Sequence, residues 1–166
     1  MRHASIVAIL VFACATSASF AKDSRMPSPD QRFAAVFRYA AEDAQLVESI
    51  SFTDSSGHVL FTEDFRTRDY RPQTGQWTSS GRFFVYSLYS RGGHSPWHRP
   101  FVVADMQTRR CTPESEIGKG DSISEFRLSS SDTISYKVLD RSKESWDPEI
   151  PGIAVTFSLS EMFPAK

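Results

Sequence analysis

Cysteine is nearly missing from this chain: there are 2 in 166 residues, Cys14 and Cys111. The first 21 residues, MRHASIVAILVFACATSASFA, open on Arg2, continue through an apolar stretch from Ala4 to Ala15, and reach the small residues Ser19 and Ala21 before Lys22. That is the build of a secretory signal peptide. Residues 1–21 are therefore expected to be removed, leaving 22–166 as a single all-β domain that is periplasmic or secreted. Cys111 is then alone, an internal disulfide is excluded, and stability has to come from burial.

Long apolar runs are also lacking. Ala4–Ala15 is shorter than the roughly 20 residues a membrane-spanning helix needs, and no later segment approaches it, so no membrane span is expected. Val11–Cys14 loosely matches a lipoprotein processing site, but the bulky Phe12 and the early position of Cys14 argue against lipid anchoring there. Charge of one sign is absent as well: 19 Lys and Arg stand against 20 Asp and Glu. Loss of Arg2 with the leader takes the formal charge from −1 to −2. Such a balance gives no pull toward nucleic acid or anionic lipid. No H-E-x-x-H, paired cysteine or G-x-S-x-G stretch occurs, and the few glycines form no phosphate cradle. No catalytic residue, resident metal or cofactor is assigned from the sequence.

What is present is an aromatic-rich pattern, 13% Phe, Trp and Tyr, that recurs. PDQRFAAVFRY begins at Pro29, SSGRFFVYSLY at Ser79 and SSSDTISYKVL at Ser129, at intervals of 50 residues. Each turn-forming opening leads into an apolar segment, then a polar connection, then a second strand-like run: ESISFTD from Glu48, PFVVADM from Pro100 and GIAVTFSL from Gly152. Turns follow at Asp54–Gly57 and Gln107–Arg109, as expected for tight antiparallel returns. The period lies in the range of repeated β units. The expected fold is all-β, with three tandem hairpin or meander units of about 50 residues in a propeller-like or sandwich-like antiparallel arrangement. The first unit also permits a helix, since Ser28–Gln31 fits a capping box and Phe33, Val36, Phe37, Ala40 and Ala41 share one helical face. Its alignment with the aromatic Phe83–Tyr86 segment favours a strand.

The openings Ser28-Pro-Asp-Gln-Arg-Phe and Ser79-Ser-Gly-Arg-Phe-Phe resemble the S-P-D-G-[RK] turn and following strand of β-propeller blades, and Val102–Thr108 is similar to the next blade strand. That resemblance implies repeated antiparallel β units, and three of them are fewer than the four blades a closed propeller needs. The loop GGHSPWHRP, following the opening of the second unit, is similar to one found in uncharacterised exported bacterial proteins. It implies no activity.

In adjacent hairpins, loops joining equivalent strands leave at the same end. The connections near 40–48, 90–100 and 140–151 are therefore expected to be neighbours, carrying Glu42, Asp43, His94, Trp97, His98, Arg99, Trp146, Asp147 and Glu149. Loops on a rigid scaffold are where binding concentrates. The ligand-binding candidates are His94, Trp97, His98, Arg99, Trp146 and Asp147. Gly92-Gly93 opens backbone angles closed to other residues, while Pro96 and Pro100 fix the chain around Trp97-His98-Arg99. Trp97 either folds back as a lid on the core or is presented to a partner.

Two functional classes follow. The first is an exported, non-catalytic module that binds a protein, glycan or envelope component through this rim, with a homodimer through sheet edges as a further expectation. The second is a small metal-assisted hydrolase using His94 or His98, with Asp147 or Glu149 completing a mixed nitrogen and oxygen site. Cys111 follows two arginines that favour a thiolate, but its place on an outer strand points to a lone, half-buried thiol.

Overall fold

A computed structural model describes residues 23–90, 98–117, 121–140 and 152–164. They form three antiparallel sheets. The first joins β1 (Ser24–Pro27), β2 (Phe33–Tyr39), β3 (Val47–Asp54) and β4 (Val59–Asp64) in chain order. The second does the same with β5 (Tyr70–Trp77), β6 (Phe83–Ser90), β7 (Phe101–Asp105) and β8 (Arg110–Pro113), followed by one helical turn, α1 (Glu114–Ile117). The third runs β9 (Arg127–Leu128), β10 (Thr133–Val138), β11 (Ile153–Ser158) and ends in a short helix, α2 (Leu159–Met162). The all-β expectation and the strand reading of 33–39 both hold. β2 has a hydrogen-bonded neighbour on each side, β1 and β3, and that ladder outweighs the helical spacing of its apolar residues. No helix among the described residues is long and apolar enough to cross a membrane.

The side-chain pattern orders the sheets. On β6, Phe84 and Tyr86 join Ala35, Phe37, Ile50 and Phe52 of the first sheet in one buried cluster. Phe83 and Val85 turn the other way and pack with Ile134, Tyr136 and Val138 of the third. Val102 and Ala104 on β7 likewise face the first cluster, and Phe101 and Val103 the second. The middle sheet is thus covered on both faces, which is why FFVY and FVVA are unbroken apolar runs. β10, TISYKV, has one core face and alternates.

The outer faces are polar. By alternation β2 and β3 turn Arg38, Ser49 and Ser51 away from the core, and Ser51 bonds Thr62 of β4 across the pair at 3.0 Å. Thr133, Ser135 and Lys137 do the same on β10.

The repeated openings form one row. Ser28 N–H donates to the Phe33 carbonyl at 2.9 Å and Gln31 N–H to the Ser28 carbonyl at 2.9 Å. Fifty residues on, Thr78 donates to Phe83 and Gly81 to Thr78 in the same way. The third turn is one residue tighter, with Ser129 N–H on the Thr133 carbonyl at 2.9 Å. Gln31, Gly81 and Asp132 occupy the left-handed position at φ 59°, 70° and 54°. Neighbouring turns also bond to each other. Ser79 Oγ donates to the Ser130 carbonyl, Ser80 N–H to Asp132 Oδ1 at 3.3 Å, and Arg32 Nη2 to the Ser80 carbonyl at 3.5 Å.

Candidate functional site

The turns occupy one end of the sheets, and the strand ends at Tyr39 and Val47, Ser90 and Phe101, and Val138 and Ile153 lie at the other. Of the six candidate residues, His98 and Arg99 are described. His94, Trp97, Trp146 and Asp147 lie outside the described residues, as do most of the 90–100 and 140–151 connections.

His98 is half-buried and meets the Tyr70 ring edge-on, with centroids 6.2 Å apart. Together they form one side of a cleft of about 400 Å³ also lined by Leu88, Pro100, Pro113, Glu114, Ser115 and Asp121. Backbone bonds fix its walls. Leu88 N–H donates to the Pro100 carbonyl at 2.8 Å, and Arg99 N–H to the Ser122 carbonyl at 2.7 Å. Ser122 N–H then donates to Glu114 Oε1 at 2.7 Å, and Leu139 N–H to the Asp121 carbonyl at 3.0 Å. The chain before β9 is therefore tied at once to the 98–100 strap, to α1 and to the end of β10. The Arg99 guanidinium lies 4.0 Å from the Glu125 carboxylate in an exposed pair, which adds little to stability.

Glu114 is the residue that sequence reasoning missed. In PESEI it reads as one of two acids on a short polar stretch, yet it is 3% exposed. Burial raises its pKa above the ordinary 4.5, the Ser122 amide opposes that rise, and the negative Asp121 adds to it. Burial also pushes the neighbouring Tyr136 phenol up to about 12, with Glu114 contributing. The only sequence signal was Pro113, which ends β8 and starts the helical turn that carries Glu114 inward. None of the cleft's lining residues comes from the 40–48 connection; the strands and turns of the second and third units supply them.

Among the described residues no group of three or more His, Cys, Asp or Glu side chains could hold a metal ion. Cys111 is half-buried, and burial, with Glu63 beside it, raises its thiol pKa well above the ordinary range. A thiol in that state is a poor nucleophile at neutral pH.

No family model and no curated protein matches the chain. Among solved structures it is similar over 81% of its length to an uncharacterized protein from Listeria monocytogenes EGD-e, with 12% identity and a TM-score of 0.46, covering 36% of that chain. It is also similar over 78% of its length to an oligogalacturonate lyase in complex with manganese, with 15% identity and a TM-score of 0.42, covering 31% of that chain. The chain thus spans about a third of the length of each.

Proposed function

We propose that this chain is an exported, non-catalytic binding domain: an open fan of three blade-like sheets whose cleft at His98 receives a basic group of an envelope partner. The observation that carries the reading is the composition of that cleft. Tyr70, His98, Leu88 and two prolines give flat apolar walls, while the Glu114 and Asp121 carboxyls supply negative charge beside the 98–100 strap. A positively charged group bound there gains a charge-assisted contact with a carboxyl that burial disfavours as an anion. Rings beside it favour a cation further. His94, Trp97, Trp146 and Asp147 belong to the same rim in this proposal, as does export through the leader at 1–21.

Two measurements test it. Intact-mass analysis of the chain recovered from an expressing cell's envelope or medium should give a species starting at Lys22; a retained leader removes the export component. Amide chemical shifts should then be followed during titration with a capped tri-lysine peptide, and separately with neutral chitotriose. Tri-lysine is expected to move the Tyr70, His98, Ser115 and Asp121 amides, with the response lost in Asp121→Asn and Glu114→Gln. Equal responses in the parent and both variants would sink the cleft assignment.

A further inference from the structure

The first and second sheets have four strands each, but the third ends at β11, which among the described residues pairs with β10 alone. The outward groups of β11 follow from the ladder. Leu159 N–H donates to the Asp132 carbonyl, and in an antiparallel pair the inward-bonding residues alternate. Ile153, Val155 and Phe157 therefore bond to β10, and the N–H and C=O groups of Ala154 and Thr156 and the N–H of Ser158 point away from it, while the Ser158 carbonyl opens α2.

Unpaired edges of this kind are usually blunted by proline, charge, bulges or short length. The other edge strands here follow that rule. β1 has four residues including Arg25 and Pro27; β4 carries Glu63 and Asp64; β5 contains Pro72 and an irregularity between Pro72 and Gly75. β8 carries Arg110 and Pro113, and β9 is two residues long. β11, IAVTFS, is six residues in continuous register with β10, without proline or charge. Ile153 at its start is 52% exposed, one of two large apolar side chains so exposed among the described residues.

We infer that the outer edge of β11 is a docking edge for β11 of a second copy of this chain, in antiparallel two-fold pairing centred on Thr156. Thr156 is the middle one of the three outward positions. Thr156 faces its counterpart and exchanges both backbone bonds with it, and the Ala154 carbonyl of each copy accepts from the Ser158 N–H of the other. On the apolar face Val155 meets Phe157. A two-fold contact must be self-complementary, and an uncharged strand meets that condition without setting like charges opposite one another. The result joins two three-stranded sheets into one of six strands. Six residues a side make a small interface, so the association is weak and reversible.

Sedimentation velocity of the purified chain over roughly a hundredfold range of concentration tests this. The parent chain is expected to pass from monomer to dimer. Thr156→Pro removes an outward N–H that bonds to no described residue of the monomer, and is expected to weaken the dimer about tenfold or more. Because a proline can perturb folding, a second pair is read beside it. Thr156→Lys and Thr156→Glu place like charges across the two-fold and should each weaken the dimer, while an equimolar mixture of the two restores it. A chain that stays monomeric throughout, or a dimer that Thr156→Pro and the charged variants leave unchanged, overturns the inference.

Discussion

Arg82 grips Asp105 with two parallel bonds, Nε to Oδ1 and Nη2 to Oδ2, both 2.9 Å. Asp105 is 1% exposed and also accepts the Gln107 amide and the Thr108 hydroxyl, so it closes the β7–β8 return. Arg82 in addition donates to the Phe163 carbonyl and lies over the Phe83 ring. One pair therefore ties the second sheet's hairpin to the segment after α2.

Breaking that pair from either side should be costly, because it strands a largely desolvated charge. Asp105→Ala is expected to lower unfolding stability by about 2–4 kcal/mol, and Arg82→Lys by less, since a lysine keeps the charge but cannot form the fork. Urea unfolding of the two variants against the parent measures the difference.

The three turns give a signed pair of predictions. A side chain at Gly81 would have φ 70°, and its Cβ would stand 2.7 Å from Asp30 Oδ1. Gly81→Ala should therefore destabilise by about 1–2 kcal/mol or more. Gln31 holds the same place in the first turn at φ 59° with a side chain to strain. Gln31→Gly should stabilise by about 0.5–1 kcal/mol. Thermal melts of both variants decide whether the turns are equivalent.

Phe83 and Phe84 are adjacent in sequence and serve different layers. Phe84 packs on Phe37, Phe52 and Trp77, with its ring centroid 5.0 Å from that of Trp77. Phe83 packs on Phe163. Each change to alanine should cost about 3–5 kcal/mol. Native Trp77 emission should shift in Phe84→Ala and stay in place in Phe83→Ala, which can be read in variants that retain only that tryptophan.

Glu114 sets a pH dependence opposite to that of a paired surface acid. Its pKa is raised in the folded chain, so between the ordinary value of 4.5 and the raised one the folded state holds more protons than the unfolded state. Stability from this group is therefore full at low pH and falls as pH rises through that window. Glu114→Gln keeps an oxygen for the Ser122 amide and has no proton to lose. Denaturation midpoints between pH 4 and 7 should fall less steeply in the variant than in the parent.

Much of the layering was legible because it depends on residue types that report their surroundings. The hydroxyl-rich turns at Ser28, Thr78 and Ser129 punctuate the chain, and the aromatic runs after them mark strands buried on one or both faces. The edge strands were harder to see. β5, YRPQTGQW, mixes proline, glycine and polar residues because an edge tolerates them, and β4 ends in two acids for the same reason. The cleft was half legible. His98 stood out through its prolines and glycines, whereas Glu114 and Asp121 become its neighbours only when the chain before β9 is tied to α1 and the 98–100 strap. That is a contact between units, and no local spacing encodes it.

The hydroxyl and carboxylate links between successive turns also govern where the chain tolerates changes in length. Adding or deleting a residue within a turn would break its alignment with the next, and the misfit would pass to the adjoining layer. The 40–46 connection at the opposite end bonds only within itself among the described residues, so changes of length among descendants of this chain should collect there while the turns keep their spacing.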